Sequence, residues 1–149
     1  MILRDLLQTD LPVIFDQQCE LEALRIAESP SRARDSFMTH WTENVLGNAA
    51  VATKVIVIEG AIAGYVTSWG QQAQRFVGYW LGARYWGQGH ATAALTLFLQ
   101  RDAIRPLFAI VSPRNAGSIR VLEKCGFERV TVPGGLGEDD DSVLFRRRV

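Results

Sequence analysis

The spacing of hydrophobic and polar positions changes several times along this chain, and each change predicts an element. After Ile2 and Leu3, a helix start is expected at Thr9/Asp10, with Pro12 in the first turn, where its missing N–H costs nothing. Residues 21–30 read as a short helix or loop ended by Pro30. From Ser31 to Leu46 the apolar residues Phe37, Trp41 and Val45 recur at four-residue spacing, with Met38 and Leu46 beside them, one face of a helix. Gly47-Asn48 ends it.

The pattern then turns β-rich. Val51–Glu59 and Ala61–Trp69, separated by Gly60, predict a hairpin. Gln71–Arg75 reads as a polar turn and Phe76–Leu81 as the next strand. Gly82–Gly89 is a loop with three glycines, and His90–Arg101 a helix whose stripe is Ala94, Leu95, Phe98 and Leu99. Pro106–Ser112 reads as a buried strand, and a helix from Asn115 or Gly117 runs to Cys125 and stops at Gly126. Glu128–Val132 and Ser142–Arg147 are two last strands around a glycine-rich, acidic loop. With no internal repeat, the order predicts an α+β domain over residues 1–149 on a mixed sheet.

Composition narrows the functions. The chain has 149 residues, enough for a core without staples, and 16 basic against 16 acidic side chains. That balance argues against nucleic acid as a partner. Two cysteines, Cys19 and Cys125, and two histidines, His40 and His90, give no metal-ligand spacing, so no metal is expected. Arg4, Asp5 and Asp10 interrupt the first apolar stretch, and no apolar run reaches the about 18 residues of a membrane span. A cytoplasmic location and no membrane partner are the expectation.

Chemistry is concentrated between Phe76 and Phe98. A strand runs into Arg84-Tyr85-Trp86-Gly87-Gln88-Gly89-His90-Ala91 and directly into a helix. Gly87 and Gly89 let backbone approach a ligand, and the helix start leaves N–H groups and partial positive charge facing it. Together they predict an anion cradle suited to a pyrophosphate. A Walker loop is excluded because His90 follows Gly89 in place of Lys-Ser/Thr. A dinucleotide fingerprint fits poorly: its third small position is Thr92, the loop lies past the middle of the chain, and Asp102 is the one nearby acid. The remaining reading is a coenzyme A pyrophosphate loop.

At these residues the chain resembles a known family. Arg84-x-x-Gly87-x-Gly89 is similar to the R/Q-x-x-G-x-G/A signature of the GNAT N-acetyltransferase superfamily. The flanking GYWLGARYWGQGHATAAL resembles the branch that contains ribosomal-protein N-terminal acetyltransferases. A second segment, from Asn115 through Ser118, Glu123, Lys124 and Gly126 to Phe127, resembles that family's N-x-x-S-x-x-v-l-E-K-x-G-F. The resemblance implies a GNAT-like fold, with a mixed, mostly antiparallel sheet flanked by helices, and acetyl-CoA as acetyl donor. It implies a pyrophosphate held on the backbone of Trp86, Gly87, Gln88, Gly89, His90 and Ala91, with Arg84 anchoring the loop or reaching phosphate. The pantetheine arm is expected along Tyr79, Trp80 and Leu81, where this strand and Pro106–Ser112 splay apart, with Asn115 and Ser118 on the other side.

The family reaction is attack of a neutral amine on the thioester, with an oxyanion held by a strand N–H. Two usual supports differ here. Where many members carry a tyrosine acid this chain has Leu122, so the role implied for an acid passes to Ser118; where many carry an early strand glutamate it has Phe76. His40, Glu59, Tyr79 or water remain as candidate bases, and His40 is carried with Ser118 as a candidate catalytic residue. Cys125 reads as small apolar filler. The run Glu138-Asp139-Asp140-Asp141 reads as a solvated loop, or as a field attracting a cationic acceptor. The acceptor is expected to be a primary amine, on a small molecule or a protein N-terminus, and the resemblance allows a homodimer. The competing reading is a non-catalytic acyl-CoA-binding module of the same fold.

Overall fold

The structure is a computed structural model that describes residues 1–23, 34–71, 73–131 and 142–149. In chain order the elements are β1 (Ile2–Asp5), α1 (Leu11–Ala23), α2 (Arg34–His40), β2 (Ala52–Ile58), β3 (Ala61–Gln71), β4 (Gln74–Leu81), α3 (His90–Arg101), β5 (Leu107–Val111), α4 (Ala116–Lys124), β6 (Glu128–Val130) and β7 (Val143–Arg147). The strands form one sheet in the order β1-β2-β3-β4-β5-β7-β6. Every pairing is antiparallel except β4 with β5. This is the mixed, mostly antiparallel α+β architecture expected from the sequence.

Each face of the sheet carries its own core. On one, the α3 stripe Ala94, Leu95, Phe98 and Leu99 packs with Leu122 of α4 against Val66, Val77 and Leu107. On the other, Leu11 and Ile14 of α1 and Phe37 of α2 pack against Val55 and Val57. Alternation along β2 sends Ile56 to the first cluster and its neighbours Val55 and Val57 to the second, as the two-residue period of a strand requires. Aromatic edges knit the second layer: Phe15 on Phe37 at 5.1 Å, Phe37 on Trp41 at 5.5 Å, and Trp41 on Tyr65 at 4.9 Å.

Four sequence expectations need correction. Gln71–Arg75 is not a polar turn, because pairing of β3 with β4 continues to Gln71↔Gln74 and Arg75 is buried inside β4. A charged residue fits there because its guanidinium donates to the carbonyls of Ala50, Gly70 and Ser68. Ile2–Asp5, not read as a strand, forms an edge strand on β2. The helix read as Ser31–Leu46 is described from Arg34, and it widens to a π-helix over Trp41–Leu46. The helix expected at Thr9/Asp10 begins at Leu11, after a 3-10 turn over Gln8–Asp10. Pro30, Ser31, Val132 and the acidic run 138–141 lie outside the described residues.

Two local constraints set how the second half of the sheet is held. Gly64 lies where a Cβ would come within 1.9 Å of the Trp80 carbonyl oxygen, so β3 and β4 approach this closely only with glycine there. At the amino-terminal end, the buried Asp10 carboxylate accepts both Arg4 guanidinium nitrogens at 2.8 and 2.9 Å and the Leu7 N–H at 2.8 Å. The Arg4 hydrogen bond above all, then the Leu7 N–H, holds that carboxyl below its usual 3.8 against the opposing effect of burial. A lowered folded value means the stabilisation is complete above pH 3.8 and is lost as pH falls through the folded midpoint. Asp10→Asn is expected to cost about 1–2 kcal/mol at pH 7, as Arg4 is partly exposed. Urea unfolding of both proteins should show that gap closing below pH 4 (roughly the ordinary carboxylate midpoint); a gap constant with pH would contradict this account.

Candidate active site

Parallel strands β4 and β5 are paired only at Arg75↔Leu107 and Phe76↔Phe108. Beyond Phe76, β4 continues to Leu81 with β3 as its neighbour, while β5 continues to Val111 with β7 as its neighbour. Each strand thus keeps one paired edge, and the two edges that face each other part. The result is a cleft in the sheet, bounded by Val77–Leu81 on one side and Ala109–Val111 on the other. Unpaired strand edges line it with backbone donors and acceptors, which suits a ligand bearing amides.

The wide end of the cleft meets the glycine loop. Gly82 N–H bonds the Ala63 carbonyl at 2.8 Å, which ends β4, and a 3-10 turn over Ala83–Tyr85 follows. The loop is tied inward by its own side chains: Trp86 Nε1 donates to the Leu81 carbonyl at 2.8 Å and Gln88 Nε2 to the Arg84 carbonyl at 3.1 Å. Arg84 lies over the Tyr85 ring at 5.2 Å, and His90 meets Gln88 Oε1 at 3.3 Å and the edge of Tyr85. Gly87 and Gly89 have φ of +72° and +81°, and a Cβ on either would meet nothing within 4 Å. Their conformation needs glycine, while the space above them is open. The first N–H to enter the α3 hydrogen-bond ladder is Ala93, which bonds the Gly89 carbonyl at 3.1 Å. The amides ahead of it, including His90 and Ala91, face outward at the positive end of a 12-residue helix. The loop is a cradle of backbone amides suited to an anion, with Trp86 and Gln88 serving to hold its shape.

Across the cleft stands α4. Asn115 caps it, its Oδ1 accepting the Ser118 N–H at 3.0 Å. The Tyr79 hydroxyl reaches from β4 to lie 2.5 Å from Ser118 Oγ and 3.1 Å from the Ser118 carbonyl oxygen, to which it can donate. Tyr79 shares its face with Val77 and Leu81, both buried against α3, so the ring spans the helical side of the cleft. Burial first of all pushes its phenol up to about 12, against a lowering by Ser118. Trp80 points to the opposite face, and its Nε1 is buried without a partner among the described residues. That same face carries Trp69, stacked on Phe76 at 6.1 Å, with Phe76 against Phe108 at 5.9 Å and Ile110 half exposed. Gly78 sits between them, its missing side chain leaving room for the Trp69 ring at 3.3 Å.

The structure therefore gathers Tyr79, Trp80, Leu81, Asn115 and Ser118 at the cleft and Arg84 to Ala91 at its mouth. His40 lies elsewhere: it ends α2 on the other helical layer, lines a crevice with Asp35, Ser36, Thr39 and Asn44, and meets Asn44 at 3.3 Å. Glu59 is an exposed residue of the β2–β3 turn. Leu122 is buried at 1% exposure in the core, and Cys125 is buried with its thiol pushed up chiefly by desolvation. Sequence reasoning missed the Tyr79–Ser118 contact, since the two are 39 positions apart and no spacing rule joins them. It also missed the Trp69–Phe76–Phe108 row, although Trp69 and Phe76 flank one turn. Among the described residues no three His, Cys, Asp or Glu are placed to hold a metal, and no helix is long and apolar enough to cross a membrane.

Known proteins share this fold. RimL, a ribosomal L7/L12 alpha-N-protein acetyltransferase solved with coenzyme A, superposes with a TM-score of 0.82 at 18% identity, over 99% of this chain and 93% of its own. A ribosomal-protein-alanine N-acetyltransferase from Brucella melitensis gives 0.79 at 18% identity, over 100% of both chains. A phosphinothricin acetyltransferase from Sinorhizobium meliloti, solved with acetyl-CoA, gives 0.79 at 21% identity, over 99% of this chain and 88% of its own. These likenesses establish the fold. No curated protein matches the sequence closely enough to carry a substrate across. The acetyltransferase (GNAT) domain model matches residues 1–128, most of the length and both the glycine loop and the Asn115–Phe127 segment. The chain belongs to the GNAT acetyltransferases, enzymes that move an acetyl group from acetyl-CoA to an amine.

Proposed function

We propose that this chain acetylates an α-amino group, on a peptide or protein N-terminus or on an amino-acid-like small molecule, with acetyl-CoA as donor. The observation that carries the donor half is the combination of open, positive-φ glycines at 87 and 89 with the parted edges of β4 and β5. The pyrophosphate rests on the loop amides from Trp86 to Ala91. The pantetheine arm lies along Tyr79–Leu81 and passes Asn115, which places the thioester near the apex of the cleft, beside Gly78 and Ser118. The amine approaches from the opposite face, over the Trp69–Phe76–Phe108 row.

In the transfer step the amine nitrogen bonds the thioester carbonyl carbon and the carbon–sulfur bond breaks. The nitrogen loses one proton to water. The departing sulfur takes the Ser118 hydroxyl proton, and water restores it, so protons balance. Holding amine and thioester together supplies much of the rate.

The acceptor half rests on what surrounds the apex. Phe76 stands at a position where a carboxylate base would be useful, and the Tyr79 phenol, raised to about 12, stays protonated at neutral pH and is a poor base. Among the described residues neither of these side chains takes the amine's proton, so on this reading the amine arrives neutral. An α-amine, with a pKa of about 7.7–8.0, is neutral in roughly one molecule in ten at pH 7, whereas a lysine-type amine near 10.4 is neutral in about one in 2,500. The greater nucleophilicity of the more basic amine returns only part of that difference.

Two experiments test this. Gly89→Val would force a β-branched residue to a φ of +81° and raise a side chain into the cradle, at a strain of about 1–3 kcal/mol. Thermal shifts with acetyl-CoA and CoA, but not NADH or ATP, are expected for the wild type and are expected to vanish in the variant; equal shifts in both proteins would overturn the cradle. In thiol-release assays with an amine panel, peptides with free N-termini should outpace spermidine and Nα-blocked lysine at least tenfold at pH 7. That advantage should shrink as pH rises toward 10, and a preference for polyamines independent of pH would refute the acceptor assignment. Thiol release with no amine at all would favour neither acceptor.

A further inference from the structure

We infer that Tyr79 is a positioning residue for the transfer step: its hydroxyl, presented from β4, aims the Ser118 hydroxyl of α4 into the cleft. The inference deepens the reading above and rests on Ser118 donating to the departing sulfur. Its basis is geometric. The Tyr79 oxygen stands 2.5 Å from Ser118 Oγ and 3.1 Å from the Ser118 carbonyl, so one phenol proton has two acceptors on the same residue. The backbone of Ser118 is fixed independently, because Asn115 Oδ1 accepts its N–H at 3.0 Å. The hydroxyl rotor is the remaining freedom, and Tyr79 is the group in contact with it.

The two proton arrangements differ in what they make available. When the phenol donates to the Ser118 carbonyl, the serine O–H points at the phenol oxygen and is spent. When the phenol donates to Oγ, the serine proton is released toward the cleft. Negative charge growing on sulfur favours the second arrangement, since it attracts the serine proton while the phenol turns its hydrogen bond from the carbonyl to Oγ. As the S–H bond forms and the Ser118 O–H bond breaks, Oγ remains hydrogen-bonded to Tyr79 until water returns its proton. Tyr79 itself keeps its proton. Burial pushes the phenol up to about 12, so it stays protonated at neutral pH and remains a donor to Oγ through the step.

Tyr79→Phe keeps the ring that spans β4 and α4 and removes only the hydroxyl. Steady-state kinetics with acetyl-CoA and a turned-over peptide are expected to show kcat down about tenfold, KM for acetyl-CoA changed less than twofold, and a melting temperature close to wild type. A merely structural tyrosine would move KM and melting temperature with kcat. Ser118→Ala and the double variant separate this inference from the reading beneath it. If Ser118→Ala lowers kcat and Tyr79→Phe adds nothing in that background, the coupling stands. If Ser118→Ala lowers kcat while Tyr79→Phe has no effect, the positioning role is overturned and the acid assignment survives. If Ser118→Ala leaves kcat unchanged, the acid assignment fails and the positioning role falls with it.

Discussion

The cleft exists because β4 and β5 are each held from behind. Parallel pairing between them ends after Phe76↔Phe108, yet neither strand ends there: β3 holds β4 through Leu81 and β7 holds β5 through Val111. A parallel pair joined by a crossover helix needs α3 to pack on the sheet, and the α3 stripe is buried against strands on both sides of the gap. The gap is thus sealed on one face by α3 and α4. It stays open along the edges where backbone groups lack strand partners. Everything assigned to the site, from the loop amides to Ser118, takes its position from this interruption of an otherwise continuous sheet.

Glycine does different work at three points around that interruption. Gly64 lets β3 approach the Trp80 carbonyl closely, which keeps β4 on its far side. Gly78 leaves room for the Trp69 ring on the outer face. Gly87 and Gly89 hold a backbone shape that other residues strain to adopt, while nothing crowds them. The first two are packing requirements and the last two are conformational ones with empty space above; Gly60 shares that conformation in the β2–β3 turn, so it is the neighbouring helix start and parted strand edges that set the Gly87–Gly89 loop apart.

Much of this could be read from the residues. The stripe Ala94, Leu95, Phe98 and Leu99 is buried as its spacing requires, and the Arg84–Ala91 loop leads into a helix as expected. Local signals of period and capping carry such information because they depend on neighbours within one turn. Arg75 was illegible because its charge is answered by carbonyls from Ala50, Gly70 and Ser68, which no composition rule foresees. The edge strand at Ile2–Asp5 was hidden by brevity, since its pairing with β2 supplies what four residues cannot signal alone. His40, a candidate base in the sequence, ends α2 in the layer on the face opposite Ser118, a placement that depends on the tertiary fold and that no local spacing could give.

Among the described residues, the side chains that meet at the apex of the cleft are neutral. Tyr79, Ser118 and Asn115 interact through hydrogen bonds, with Phe76, Phe108 and Trp69 on the outer side. An array of this kind suits a reaction in which charge moves from nitrogen toward sulfur, because oriented dipoles stabilise the developing thiolate without a fixed charge that would also bind the ammonium form of the acceptor. A carboxylate at the apex would do the opposite: it would draw in protonated amine and then have to remove its proton. The buried phenol adds to this by remaining neutral across the working pH range. On the proposed function the titration that governs the rate is then the acceptor's own, which ties the choice of substrate to the neutral groups described around Ser118.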